Sequence, residues 1–231
     1  MKYPKIDFKQ LSLKDNIEIV KWAYNQDDSL KTKDKVIDYF PLIKSDNIEE
    51  LVTSMYYELS CVFTESINNY QTLWNSISEY YFNEIFDYLS VDDYQETLTI
   101  YIGLLPIAPR DINNREIYIN IGMKKERFLN IITHEVLHFI WFDKFKKLYP
   151  NIQDSEFIAP HISWIYSELI TPIILNRDSI VKLTLSKEEC LYDFMNQEVM
   201  DNLKNIFNKN ISIDERIREG YQYVKTYFEN N

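Results

Sequence analysis

Apolar residues recur every three or four positions over residues 13–90, which predicts a series of N-terminal helices. Asp46 followed by Glu49 matches a capping box and predicts the start of a long helical region. The aromatic residues within 73–89 continue this pattern, and we assign them to the hydrophobic core. A loose arm is expected over residues 1–12.

The pattern of apolar residues changes at residue 96. The segment ETLTIYIGLLPI alternates and is rich in β-branched and aromatic residues, which predicts a strand. The turn-forming segment APRDINN follows, and REIYINIG predicts a second strand with Ile117, Ile119 and Ile121 on one face. We therefore expect a small β-sheet over residues 96–121.

Helical spacing returns after the two strands. A helix is predicted over residues 124–148, ended by Pro150. A second helix begins near Pro160, which suits a first helical turn, so that the pair occupies residues 124–176.

Two further capping boxes occur towards the end of the chain. Ser186 with Glu189 predicts the start of one helix, and Ser212 with Glu215 predicts the start of another. We therefore expect C-terminal helices over residues 186–229.

Composition supports a mainly helical fold. Hydrophobic residues make up 45% of the chain, enough for a large core, whereas only 3 glycines are present. Few glycines allow few turns with positive φ, which favours helices over an architecture of many hairpins. No linker or internal repeat is visible. We predict a single α+β domain over residues 1–231, with the small sheet next to the 124–148 helix.

Charge and targeting signals exclude several classes of protein. The net charge of −11 disfavours a broad nucleic-acid-binding face, because an acidic surface repels phosphates. The chain start does not resemble a signal peptide, and no run of about 18 apolar residues could span a membrane. Cys61 and Cys190 lack CxxC spacing and are expected to be buried free thiols, typical of a reducing compartment. A cytoplasmic protein without nucleic-acid or membrane partners is expected; its oligomeric state is left open.

The segment NIITHEVLHFIWF, residues 130–142, carries the strongest chemical signal. His134 and His138 lie four residues apart, so a helix places both imidazoles on one face, where they can bind one metal ion. Glu135 projects about 100° away and can act on a water molecule without being a ligand, as zinc hydrolases require. The surrounding residues are almost all apolar, and buried polar groups need partners. A metal ion would supply one; the alternative is a pair of core histidines bonded to neighbouring groups.

Tetrahedral zinc requires a third protein ligand, because catalytic sites keep the fourth position open. The best candidate is Glu168, an acid within the apolar segment SWIYSELITPII; the alternative for Glu168 is a structural ion pair. His161 competes as third ligand, but it lies two helical turns before Glu168, and one ion is not expected to reach both. We assign His161 a supporting role as donor to a tetrahedral oxyanion, with Tyr166 as a second candidate donor.

Residues 115–175 resemble the gluzincin zinc metallopeptidases. The similarity consists of the strand EIYINIG, the helix FLNIITHEVLHFIWF and the helix SWIYSELITPII, in that order. It implies a zincin-like fold, one zinc ion with a glutamate ligand from the second helix, and a substrate-binding rim at about Glu116 to Ile121. Where thermolysin-like members often have an aspartate supporting a histidine, this chain has Pro172. The partner of the zinc-binding histidines must therefore come from elsewhere.

These observations lead to one expected function and two alternatives. We expect a zinc-dependent metallopeptidase that hydrolyses a peptide or protein substrate, with Glu135 as the general base. The first alternative is a metal-binding protein without peptidase activity, such as a sensor or a degenerate enzyme that acts through partners. The second is a helical interaction module without metal. The presence of Glu135 favours the enzyme, because a purely structural metal site has no need of it.

Overall fold

Nine α-helices and a four-stranded sheet are present in the computed structural model, which describes residues 2–27, 31–189 and 192–229. This is the α+β, mainly helical class that the sequence predicts. The strands are β1 (Lys5–Gln10), β2 (Thr97–Gly103), β3 (Arg110–Asp111) and β4 (Glu116–Asn120). The helices are α1 (Leu13–Tyr24), α2 (Thr32–Tyr39), α3 (Ile48–Glu58), α4 (Ser60–Leu89), α5 (Lys125–Leu148), α6 (Ile162–Leu175), α7 (Asp178–Thr184), α8 (Gln197–Phe207) and α9 (Ile213–Glu229).

The chain divides into two compact units, which we describe separately. The sheet unit comprises Pro4–Ser76 and Glu96–Phe128. The helical unit comprises Met1–Tyr3, Ile77–Gln95 and Leu129–Asn231. Within the described part of the chain, no helix has both the length and the apolar character needed to cross a membrane.

The strands of the sheet unit are ordered β1-β2-β4-β3. Strands β1, β2 and β4 are parallel, and β3 pairs with β4 in the antiparallel direction. The two predicted strands are confirmed: Ile100 and Ile102 of β2 lie in register with Ile117 and Ile119 of β4, and all four are buried. Alternation of these side chains places one face of the sheet in the core.

The expected loose arm at residues 1–12 is wrong, because Lys5–Gln10 forms strand β1. This strand pairs in parallel with β2, from Lys5 opposite Thr97 to Gln10 opposite Ile102. The partner strand lies some ninety positions further along the chain. A pairing at that separation has no local sequence signal of the kind that a hairpin provides.

Two polar side chains, those of Asn16 and Tyr70, make several hydrogen bonds within the sheet unit. Asn16 of α1 is buried; its amide donates to the carbonyls of Leu11 and Ser12, and its oxygen accepts from the N–H of Leu104. Tyr70 of α4 stacks on Phe128 with 4.4 Å between ring centroids. The hydroxyl of Tyr70 lies 2.9–3.1 Å from three carbonyl oxygens at the end of β4 and in the turn after it, those of Asn120, Ile121 and Met123. Both side chains provide hydrogen-bond partners for buried backbone groups.

The capping box expected at Asp46 is not formed. Helix α3 begins at Ile48 and ends at Glu58, and α4 begins at Ser60, so the predicted long helical region consists of two helices separated at Leu59. The side chain of Asn47 instead accepts a hydrogen bond from the N–H of Lys44.

The two C-terminal capping boxes have different outcomes. The Ser212 box at α9 is confirmed, since the N–H of Glu215 donates to the Ser212 hydroxyl and the Glu215 carboxylate accepts from the Ser212 N–H. The Ser186 box is wrong: residues 186–189 belong to no helix, and α8 begins at Gln197 with Asn196 as its cap.

The cysteine prediction is partly corrected. Cys61 is a free thiol, as expected, but it is exposed on α4 instead of buried. Cys190 lies outside the described residues.

Candidate metal site

Helix α5 carries the HExxH motif through a buried part of the helical unit. His138 is fully buried, and the side chain of His134 is 12% exposed. Their Nε2 atoms lie 2.9 Å apart, as expected for two residues four positions apart on one helical face. The buried apolar neighbours along this helix are Ile132, Val136, Leu137, Phe139, Ile140 and Trp141.

Helix α6 brings Glu168 to both histidines. The Oε1 atom of Glu168 lies 3.4 Å from Nε2 of His138, and its Oε2 atom lies 3.5 Å from Nε2 of His134. The side chain of Glu168 is only 2% exposed. One potential ligand atom from each of these three residues therefore lies within 4.8 Å of the other two. Among the described residues, this is the group with the composition and spacing to hold a metal ion.

The spacing of these three residues allows them to hold a metal ion. Ligand atoms about 2.0–2.2 Å from zinc at tetrahedral angles lie about 3.4 Å from one another. The two Nε2 atoms lie 2.9 Å apart in the structure, and each lies 3.4–3.5 Å from a different oxygen of Glu168. Two imidazoles and one carboxylate form a known catalytic zinc set, in which the fourth position remains open.

Carboxylates outnumber imidazoles around His134. Besides Glu168, Oε1 of Glu188 lies 2.9 Å from His134 Nδ1, and Oε1 of Glu135 lies 4.0 Å from His134 Nε2. Desolvation, the largest single effect, lowers the pKa of His134, but the hydrogen bonds with Glu168 and Glu188 and the charges of Glu135 and Glu168 outweigh it and raise the pKa to about 10. The carboxylates around His134 therefore favour a positive charge at its imidazole.

Glu188 is the partner of His134 that the sequence could not identify. Its carboxylate lies 2.9 Å from Nδ1 of His134. When Nδ1 carries the proton, the free lone pair is on Nε2, the nitrogen that faces Glu168. Glu188 is one of 36 acidic residues and lies in no helix or strand. The nearby capping pattern of Ser186 and Glu189 suggested a structural role for this segment, so no local signal distinguished Glu188.

Tyr81 of α4 is a second residue that sequence reasoning missed. Its hydroxyl donates to the carbonyl of Thr133, the residue before His134, at 2.6 Å. Burial raises the pKa of Tyr81 well above its usual value, and the charge of Glu188 adds to that effect. Tyr81 therefore remains a neutral donor that fixes this turn of α5 beside the histidines.

The predicted base, Glu135, lies beside His134 and is not one of the three potential ligands. It projects about 100° around the helix from His134. The side chains of His134 and Glu135 are 12% and 10% exposed, against 1% for His138 and 2% for Glu168. Among the three potential ligands, His134 is thus the nearest to solvent, between the slightly exposed carboxylates of Glu135 and Glu188.

The two predicted oxyanion donors lie elsewhere on α6. His161 is the exposed N-cap residue, about 10 Å along the helix axis from Glu168. Tyr166 is fully buried, and its hydroxyl donates to the carbonyl of Ile217 in α9 at 3.0 Å. Two positions before Glu168, Tyr166 projects about 200° away from it around the helix. The structure does not bring either side chain together with the three potential ligands.

Comparisons of the chain with family models, curated proteins and solved structures gave no match. We therefore infer the function from the site residues alone.

Proposed function

We propose that this protein is a zinc-dependent metallopeptidase of the gluzincin type, with a zincin-like fold. His134, His138 and Glu168 are the zinc ligands, and Glu135 is the general base. The convergence of two histidines and a glutamate from two buried helices, with Glu135 beside them, is the observation that carries the proposal. A cytoplasmic location and a peptide or protein substrate belong to the same proposal.

Each residue has a chemical task in this proposal. Bound Zn²⁺ would supply Lewis acidity and activate a water molecule for attack on a peptide carbonyl. His134 and His138 present Nε2, while Glu188 holds the proton on Nδ1 of His134. Glu135 accepts the proton of the attacking water and delivers it to the leaving nitrogen. The Glu135 side chain is 10% exposed, against 2% for Glu168, so the base is closer to solvent than the carboxylate ligand.

A second candidate function is a metal-binding protein without peptidase activity. The low exposure of the site supports it, since none of the four side chains is more than 12% exposed. A closed site is typical of structural zinc, which needs no base. The presence of Glu135 favours the peptidase.

The test combines metal analysis with hydrolysis of a peptide library. The wild type and Glu135→Gln, purified without chelators, should each contain about one zinc per chain, and Glu135→Gln should lose hydrolysis by about 10²-fold or more. Glu126→Gln, an exposed change on the same helix, is the matched control and should keep the wild-type rate.

Three results would contradict parts of the proposal. Absence of metal from the wild type would overturn both candidate functions. Zinc without turnover would overturn the peptidase and favour the second candidate. Wild-type hydrolysis by Glu135→Gln would overturn the assignment of the base.

A further inference from the structure

The segment that carries Glu188 is irregular but anchored. Helix α7 ends at Thr184, and Leu185 takes the left-handed conformation with φ of 62°. The Thr184 hydroxyl donates to the carbonyl of Ser186 at 2.9 Å. The Ser186 hydroxyl donates to the side-chain oxygen of Asn130 at 2.7 Å, one turn before His134 on α5. These bonds bring the segment to α5 before it reaches Glu188.

The strongest anchor is Asn176, the C-cap residue of α6. Its side-chain amide donates to the carbonyl of Glu188 at 3.0 Å, and its side-chain oxygen accepts from the N–H of Glu188 at 2.8 Å. One side chain thus satisfies both backbone groups of Glu188. Two bonds to a single residue restrict its rotation as well as its position.

We propose that Asn176 is a positioning residue of the metal site, which acts by holding Glu188 against Nδ1 of His134. The inference deepens the proposed function and rests on it, because it concerns the same zinc ligands. Helix α6 then serves the site twice: Glu168 is a ligand, and Asn176 orients the carboxylate behind another ligand. Asparagine suits this position because it carries a donor and an acceptor on one short side chain.

Glu188 needs a positioning residue because of where it lies in the chain. No helix or strand fixes this residue, so the bonds described above must restrict the conformations that its carboxylate samples. A carboxylate that orients a metal-binding histidine typically changes metal affinity by about 10–100-fold when it is lost. Release of Glu188 by loss of Asn176 should have a similar effect without removing any ligand.

The test measures Zn²⁺ affinity by competition with a chelator, the absorption spectrum of the Co²⁺-loaded protein and the melting temperature without metal. Asn176→Ala and Glu188→Gln should each lower Zn²⁺ affinity by about 10–100-fold and shift the Co²⁺ spectrum. The double variant should be no weaker than Glu188→Gln alone, because both changes remove the same interaction.

Two further variants keep the test decisive. Asn176→Asp retains the acceptor for the Glu188 N–H and loses the donor, so it serves if Asn176→Ala does not fold; it should also weaken Zn²⁺ binding. Asn25→Ala removes another C-cap asparagine, whose amide donates to the carbonyl of Lys21 in the sheet unit. This control should lower the melting temperature at most and leave Zn²⁺ affinity and the Co²⁺ spectrum unchanged.

The failure of this inference differs from the failure of the proposed function. A wild-type protein that does not bind Zn²⁺ overturns the proposed function and the inference with it. A wild type that binds Zn²⁺, together with folded Asn176 variants of equal affinity and unchanged Co²⁺ spectrum, overturns the inference alone. Additive losses in the Asn176→Ala/Glu188→Gln variant also overturn it, because Asn176 would then not act through Glu188.

Discussion

The Oε1 atom of Glu168 lies 3.4 Å from Nε2 of His138, and this contact joins helices α5 and α6 within the helical unit. Both side chains are almost completely buried. A buried carboxylate is stable only with polar or charged partners. The contact therefore links the packing of the two helices to the chemistry of the proposed zinc site.

The first prediction concerns metal removal and Glu168. Zinc at about 100 times its dissociation constant should stabilise the wild type by about 2.7 kcal/mol, which corresponds to a rise of about 5–10 °C in melting temperature. Glu168→Gln should lose most of this rise, because an uncharged ligand replaces the carboxylate. Thermal unfolding with added Zn²⁺ and with EDTA measures both effects, and Glu126→Gln is the control. An equal zinc-dependent rise in Glu168→Gln would contradict the assignment of the third ligand.

The second prediction concerns the packing of Gly220 against Tyr166. A Cβ atom at Gly220 would overlap the Tyr166 hydroxyl and lie 3.2 Å from the ring of Phe207. Gly220→Ala should therefore lower the free energy of unfolding by about 1–3 kcal/mol. Removing the hydroxyl in Tyr166→Phe/Gly220→Ala should recover part of that loss.

Denaturant unfolding measures this coupling, and Gly122→Ala is a comparison with a smaller overlap, because its new Cβ would meet only the side-chain oxygen of Asn120, at 3.3 Å. Strict additivity of the two changes would show that the hydroxyl is not what the new methyl group meets.

The third prediction concerns Asn16 in the sheet unit. Asn16→Ala removes the bonds to Leu11, Ser12 and Leu104, so the buried carbonyl of Leu11 and the buried N–H of Leu104 lose a partner. The free energy of unfolding should fall by about 2–4 kcal/mol. Asn47→Ala, which removes two bonds near the surface, should cost about 1 kcal/mol or less. Equal losses in the two variants would show that burial of Asn16 adds nothing.

The fourth prediction concerns alkaline pH and Tyr70. Desolvation by burial raises the pKa of Tyr70 from 10.0 to about 12. Between these pH values the unfolded chain loses the phenolic proton while the folded chain keeps it, so the unfolded state binds fewer protons and stability falls as pH rises. The contribution is fully present below about pH 10 and is lost towards about pH 12.

Unfolding free energies measured from pH 9 to about 12 test this sign. Tyr70→Phe should flatten the decline, although its stability at neutral pH should be lower because the hydrogen bond is gone. Tyr57→Phe, at a tyrosine that is 64% exposed, is the control for loss of a phenol. A decline as steep in Tyr70→Phe as in the wild type would assign the effect to other groups.

Local periodicity was sufficient for much of the fold and for part of the site. The predicted helix over 124–148 agrees with α5 to within one residue, and the strands β2 and β4 follow their alternation. The relation between His134 and His138 follows from helix geometry alone, since residues four apart share a face. Burial of the motif could also be inferred, because its apolar neighbours surround the helix.

Tertiary structure decided what depends on residues distant in sequence. Strand β1 exists because β2 offers it a parallel partner, and Ser186 bonds to Asn130 instead of capping a helix. The sequence identified Glu168 as a buried acid that needs a partner. Its position close to both histidines results from the packing of α6 on α5. The role of Glu188 depends on tertiary structure, because the segment after α7 and the bonds from Asn176 place its carboxylate against Nδ1 of His134. The physical reason is the distance along the chain over which each effect operates. Helix and strand periodicity relates residues only a few positions apart, whereas a site combines side chains that are distant in sequence and whose separations are determined by packing.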